Sequence, residues 1–454
     1  MDADIPFALP FIGKEEEEAV LRVLRSGWLT TGAEALAFEK EFADFLGSPP
    51  SYPNEAADPS VNDFSFSVNV CRTPKSRSID GTSLLNPAVS AADRMPLFCL
   101  AVNSATSGLH LALEACGVGP GDVVLVPSYT FTSTAEVARY LGADVAFVDV
   151  APGSFHIGPA ALERTLDRLS RGLPAYPPRG GGDGFGPRGR PRAVAPVHLG
   201  GLPCDMQGIR EIADRYGIRV VEDAAHSFPS LVPGFGYAGT LGDIGVFSFY
   251  ATKTLATGEG GMVVTRNPEL AGRMSKMRSH GIDRAVWNRY TDKKASWYYE
   301  VVEPGFKYNL PDILAAIGRV QLTRAKDLLA KRQLIAARYD AAFQDNPRLL
   351  LPPTGPGNAW HLYPLRLRPG TLAIDRDAFI ERLKEAGVGV SVHFIPLHTM
   401  PYYKKWYTLE PEDFPETLRS FEQEISLPIW PGMSETQVDR VIDAVNAAAA
   451  DAAV

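Results

Sequence analysis

The chain has 454 residues with 45 Lys and Arg against 53 Asp and Glu, a formal charge of −8. That balance leaves no basic surplus for counterion release from a phosphate backbone, which excludes a nucleic-acid binder but not a small anion held in one pocket. At 45% hydrophobic and 22% charged residues the composition is that of a globular chain of two or three domains.

The opening residues are acidic and no apolar run reaches about 18 residues, so neither a secretory signal nor a membrane span is expected, and the location expected is cytoplasmic. The acidic run 15–18 opens a surface helix over 15–25, and residues 33–46 predict a second amphipathic helix through Leu36, Phe38, Phe42 and Phe45. Residues 47–96 lose all sustained period and read as an inserted flexible segment. A second excursion, 171–192 (RGLPAYPPRGGGDGFGPRGRPR), is too rich in Gly, Pro and Arg for a helix or a central strand.

Between and after these segments, strand patterns at 98–103, 123–126, 145–149, 193–198, 218–222, 244–249 and 261–265 alternate with helical ones at 106–116, 134–141, 159–169 and 206–216. Continuously apolar strands joined by helices predict a mostly parallel sheet covered on both faces, spanning 97–310. From 311 the chain reads as a smaller α+β domain, helical to 343, with strands near 360–367 and 389–394. Cys71, Cys99, Cys116 and Cys204 lack CxxC spacing and read as reduced thiols, and no His or Asp gathers at metal-ligand spacing.

The most informative segment is 242–261, GDIGVFSFYATKTLATGEGG. Its strand ends at Ser248, and Lys253 follows in a loop closed by Gly258, Gly260 and Gly261. Open α/β sheets bind ligands beyond the carboxyl ends of their strands, where this lysine falls. The strand in IRVVEDAAH likewise ends in Asp223, a costly place for a carboxylate unless a positive group meets it. Lysine and acid together are the pair that pyridoxal phosphate chemistry requires, one to bond the cofactor and one to keep its ring nitrogen protonated. In NSATSGLHLAL a strand end turns into a helix, so the amides of Ala105 and Thr106, with the hydroxyls of Thr106 and Ser248, suit a phosphate. Phe131 in PSYTFTST stands past another strand end, where an aromatic face can stack on a pyridine ring.

These segments, with GWLTTG, LGADVAFVDV, GFKYNLPDILAAIGRVQL and HFIPLHTMPYY, resemble the DegT/DnrJ/EryC1/StrS family of sugar aminotransferases over nearly the whole chain outside the two excursions. The resemblance implies an α/β fold of the fold-type I aminotransferase class and a homodimer with shared active sites. It also implies transfer of an amino group from glutamate, leaving 2-oxoglutarate, to a keto group on a nucleotide-linked sugar. By position, Lys253 is then the Schiff-base lysine, which speaks against the dehydratase branch, and Asp223 the partner of the ring nitrogen. His226 lies beside the ring's oxygen, Thr106 and Ser248 hold the phosphate, and Phe131 stacks. Lys307 stands where many relatives carry an Asn that reaches the neighbouring subunit's cofactor phosphate. Thr31 and Gly32 belong to a sugar-contacting loop, and His393 and His398 to a region near the substrate diphosphate, where core packing is the alternative for each histidine, as it is for His361. The GFKYNLPD segment favours amination at carbon 4, as in the 4-amino-4-deoxy-arabinose branch. Rival readings are a 3-keto sugar or cyclitol/aminobenzoate-type enzyme, a non-catalytic cofactor-binding regulator, and a dehydrogenase, which lacks its GxGxxG.

Overall fold

A computed structural model describes residues 4–47, 95–282 and 298–452. The flexible insertion expected at 47–96 lies outside them except at its edges. Two helices come first, α1 (Lys14–Ser26) and α2 (Ala33–Gly47). The main sheet then takes β1 (Phe98–Val102), β2 (Asp122–Pro127), β3 (Asp144–Val148), β4 (Arg190–Val194) and β5 (Arg219–Asp223). After a two-stranded ribbon of β6 (Leu231–Val232) and β7 (Gly236–Tyr237), it is completed by β8 (Ile244–Ser248) and β9 (Gly261–Thr265). The order is β1-β9-β8-β5-β4-β2-β3, and only β9 runs against the rest.

Connecting helices are α3 (Ala105–Ala115), α4 (Ser133–Tyr140), α5 (Pro159–Ser170), α6 (Met206–Tyr216) and α7 (Pro268–Met277). Alternation along the strands shows why both faces need cover: Val263 joins one apolar cluster, while its neighbours Met262 and Val264 join another with Phe38 and Phe42 of α2. The sheet is therefore covered on both faces, the mixed, mostly parallel arrangement of a fold-type I aminotransferase.

Beyond it come α8 (Asp312–Thr323) and α9 (Ala325–Phe343), then the antiparallel strands β10 (Leu349–Leu350), β11 (Tyr363–Leu367) and β12 (Glu424–Leu427). Helices α10 (Arg376–Glu385), α11 (Pro401–Tyr407), α12 (Pro415–Gln423) and α13 (Glu435–Asp451) accompany them. Tyr339, Phe343, Tyr363 and Val441 form a separate core here. Tyr403, Tyr407 and Phe414 instead join the main-sheet cluster, and the Tyr407 hydroxyl accepts the Val145 amide at 2.9 Å.

Two expectations are corrected. The excursion 171–192 does supply a central strand, because β4 starts at Arg190, and Pro191 is accommodated where the ladder with β2 shifts register between Val123 and Val124. The rest of that excursion is a strap held by a Tyr176–Phe185 bridge and by the Arg179 pair with Asp413. The stretch 389–394 makes only one isolated bridge, Ser391 to Ser426, because the His393 amide donates to the Glu424 side chain at 3.0 Å instead of a backbone carbonyl, and β12 takes the third place in the sheet.

The N-terminal loop is tied to the chain 280 residues later. Asp312 accepts the amides of Gly32 at 2.7 Å, Glu34 at 3.2 Å and Ala35 at 3.0 Å, so it caps α2 from outside. A side chain on Gly32 has no room, since its Cβ would stand 2.2 Å from the Trp28 indole nitrogen. Asp312→Ala should lower unfolding stability by about 1–2 kcal/mol, read as a drop in the urea midpoint at unchanged slope.

Candidate active site

A cavity of about 580 Å³ opens beyond the carboxyl ends of β1, β2, β5 and β8. The same strand ends carry its chemistry: Ala105 and Thr106 after β1, Phe131 after β2, Asp223 closing β5, and Ser248 and Lys253 at and after β8. His226 and His393 also line it.

Asp223 is buried and accepts hydrogen bonds from Thr134 Oγ1 at 2.7 Å and the Ala225 amide at 3.2 Å. The one hydroxyl proton of Thr134 is thereby used, so Thr130 Oγ1, 2.9 Å away, donates to Thr134 in turn. Burial raises the Asp223 pKa, opposed by these bonds and by Lys253. Such a carboxylate is short of a cation.

The Lys253 amine lies 3.3 Å from His361 Nε2. Loss of water lowers its pKa to about 7, with Asp223 pulling the other way and Arg332 adding to the fall. His361 and His226, with ring centroids 4.4 Å apart, are both pushed well below the ordinary imidazole range, by burial first and then by Lys253. His226 Nδ1 accepts the Gly200 amide at 3.2 Å, which puts its ring proton on Nε2. Beneath them the buried Arg332 guanidinium donates to the carbonyls of Trp360, His361 and Ile429 at 3.2, 3.2 and 2.6 Å, fixing the corner that presents His361.

Helix α3 points its N-terminus at the cavity. Ser104 caps it by accepting the Ser107 amide, and helix geometry leaves the amides of Ala105 and Thr106 without intrahelical acceptors. Gly261 makes room there, since a Cβ on it would stand 2.9 Å from the Ala105 nitrogen. Phe131 is 54% exposed, an unusually open face for a ring at a strand end. A phosphate cradle, an amine, a carboxylate in need of a cation and an open aromatic face match the donor set for pyridoxal phosphate.

The expected contacts Thr31, Gly32 and Lys307 are not brought to this cavity. Thr31 Oγ1 donates to the Leu310 carbonyl at 2.6 Å, Gly32 is held by Asp312, and Lys307 is exposed beside Ser279. His398 is not there either: its Nδ1 lies 2.5 Å from Ser128 Oγ and its Nε2 3.0 Å from the Pro411 carbonyl, so it is a packed core histidine. Reasoning from sequence missed Thr134 and Arg332 and left His361 unassigned. Only Thr134, four residues after Thr130 in PSYTFTST, carried a local signal.

On the opposite wall His393 stacks on Phe7 with centroids 5.2 Å apart. Its Nδ1 is 2.9 Å from Ser426 Oγ, which is 2.5 Å from Oε1 of the fully buried Glu424. Burial raises the Glu424 pKa to about 8, against hydrogen bonds from Ser426 and the His393 amide. The folded chain thus keeps a proton that the unfolded chain releases above about 4.5, so this group's stabilising contribution is full at acid pH and shrinks as pH rises towards about 8. Glu424→Gln holds the neutral form. Its melting temperature should gain on the wild type from about pH 5 to about pH 8, by at most about 1.4 kcal/mol per pH unit, and a parallel pair of curves would refute this.

Comparison with known proteins gives the same picture. The profile described as the DegT/DnrJ/EryC1/StrS aminotransferase family matches residues 10–51 and 95–446. The spore coat polysaccharide biosynthesis protein SpsC of Bacillus subtilis strain 168 is 38% identical over 445 residues, covering 97% of this chain and 96% of that one. Among solved structures, the PLP form of Spr1654 of Streptococcus pneumoniae superposes with a TM-score of 0.77 at 26% identity, covering 99% of both chains. The aminotransferase TlmJ of Streptoalloteichus hindustanus gives 0.74 at 30% identity, with 99% and 100% covered.

Proposed function

The chain belongs to the DegT/DnrJ/EryC1/StrS aminotransferase family, and on that premise we propose that it moves the amino group of glutamate to the 4-keto carbon of a nucleotide-linked sugar. It is a pyridoxal phosphate-dependent sugar aminotransferase. The observation that carries the reading is the convergence of Lys253, Asp223 and the α3 N-terminus on one cavity. When bound, the cofactor supplies an electron-accepting pyridine ring and carries the amino group between the two substrates.

The chain's own residues divide the remaining work. Ala105, Thr106 and Ser248 bind the phosphate, and Phe131 and His226 orient the ring. Asp223, supported by Thr134, holds a proton on the ring nitrogen. That proton is the cation its buried carboxylate otherwise lacks, and burial strengthens the pair. Lys253, with its pKa near 7, supplies a neutral amine at working pH and carries the proton between donor carbon and cofactor as base and then acid. His361 holds that amine in place through its Nε2. Phe7 and Phe394 line the same cavity with apolar rings.

The 4-keto position rests on the GFKYNLPD segment, and a role in polysaccharide biosynthesis on the likeness to SpsC. The protein is proposed to act as a homodimer, with Lys307 and the Thr31–Gly32 loop serving the neighbouring cavity, since they do not reach their own.

Glutamate added to the holoenzyme should convert the cofactor's visible absorbance to that of its aminated form, and a panel of UDP, dTDP and GDP 4-keto and 3-keto sugars should return amine only from the 4-keto set. Turnover of the 3-keto set alone would sink the positional assignment. Lys253→Ala should lose at least about 10³-fold in turnover and Asp223→Asn about 10²-fold, both with the fold intact by circular dichroism.

A further inference from the structure

Glu424, Ser426 and His393 form a chain from a fully buried carboxyl to the wall of the cavity, and nothing in transamination itself calls for it. Glu424 and Ser426 sit two apart on β12, so their side chains share one face of that strand. His393 reaches them from the 389–394 stretch, which its own amide ties to Glu424 Oε2 at 3.0 Å. With Nδ1 committed to Ser426, the nitrogen left for the cavity is Nε2.

The chain has two proton arrangements of equal total charge. In one, Glu424 is a neutral acid that donates to Ser426 Oγ, the hydroxyl donates to His393 Nδ1, and a neutral imidazole shows Nε2–H to the cavity. In the other, the carboxyl proton has passed to Ser426 Oγ while the hydroxyl proton has passed to Nδ1. Glu424 is then an anion accepting from Ser426, and His393 is an imidazolium. Two protons shift by one bond each, and none enters or leaves. Burial favours the neutral arrangement while the cavity holds no anion, raising Glu424 and lowering His393 to about 4, the latter with help from Lys253. Facing the chain are Lys253, His226 and His361 on the cavity side and Arg376, Arg366 and Tyr129 on the buried side; Asp223 and Glu259 also line the cavity, and among the described residues it is Glu424 whose carboxyl is hydrogen-bonded into the chain with His393.

We propose that this chain is a proton relay which converts His393 into an imidazolium when an anionic group of the substrate, such as a diphosphate, docks against its Nε2. The inference rests on the nucleotide-sugar reading above. A buried carboxyl then supplies the positive charge from within, so anion binding needs no proton from solvent. Glu424 and Ser426 are positioning residues and do not touch the substrate.

The test titrates the pyridoxal phosphate holoenzyme with UDP, which has no keto group and cannot turn over. Calorimetry in two buffers of different ionisation enthalpy, between about pH 6.5 and about pH 8, counts the protons taken up, while ¹⁵N-histidine spectra report the charge of His393. Wild type should bind with nearly constant affinity and no net uptake, and His393 should become doubly protonated. Glu424→Gln, which keeps the shape and hydrogen bonds but has no proton to give, should take up about one proton from buffer and lose affinity about tenfold per pH unit across this range. Ser426→Ala, which breaks the chain at its middle, should behave likewise. If UDP binds while His393 stays neutral, or if Glu424→Gln matches wild type in affinity and uptake, the relay is overturned and the nucleotide-sugar reading stands. Failure of wild type to bind UDP, dTDP and GDP alike overturns both.

Discussion

Two consecutive buried carboxylates, Glu222 and Asp223 at the end of the central strand β5, set the terms for everything around the site. Alternation along the strand sends them to opposite faces. Glu222 is saturated: it accepts the amides of Gly239 at 2.7 Å and Leu241 at 2.6 Å, that of Gly242, and the Nε2–H of His198 at 2.8 Å. His198 Nδ1 itself accepts the Cys204 amide, and three backbone amides share the rest of the work of meeting the Glu222 carboxylate. That fixes the turn feeding β8, and hence where the loop with Lys253 emerges. Asp223 has one hydroxyl and one amide. The difference in partners separates a structural carboxylate from one kept available.

How far the site was legible follows from how local each signal is. Lys253 and Asp223 could be read because each lies at the end of an apolar run, and the position of a strand end is a property of a few neighbouring residues. The α3 cradle was legible for the same reason. His361 was not, because AWHLYP has the pattern of a packed strand, and only long-range bonds, from the Ala359 amide to the Gly201 carbonyl and from the Leu362 amide to Gly200, bring it to the lysine. Gly201 has to be glycine there, with φ at 101° and a Cβ position 2.9 Å from the Trp360 nitrogen. Arg332 was hidden in an ordinary helical pattern. The start of β4 was lost because Pro191 argues against a central strand, a rule the register shift evades.

The motifs GWLTTG and GFKYNLPD are a single unit in space. Asn309 Nδ2 donates to Thr31 Oγ1 at 2.6 Å, Thr31 to the Leu310 carbonyl, and Asp312 caps the helix that follows Gly32. A unit so tightly bound is a rigid surface and not a loop that closes over its own cavity. The family resemblance assigns Lys307 to the neighbouring subunit's cofactor but does not say which subunit's sugar the Thr31–Gly32 loop would contact, and this rigidity favours the neighbour's cavity for the whole unit in the proposed dimer.

The electrostatics of the cavity are those of a place that holds positive charge reluctantly. Burial pushes His226, His361 and His393 down, brings Lys253 to about 7, and leaves Arg332 as the fixed cation beneath them. Arg332 donates to carbonyls, and among the described residues no carboxylate pairs with it, so its field bears on both Lys253 and His361. A carboxylate in that position would have raised the lysine's pKa and kept its amine protonated. Carbonyl acceptors give the same rigidity to the His361 corner while the charge still works against protonation. The same reluctance makes a proton delivered from within, and only when an anion is present to meet it, the least costly way to place positive charge on the opposite wall.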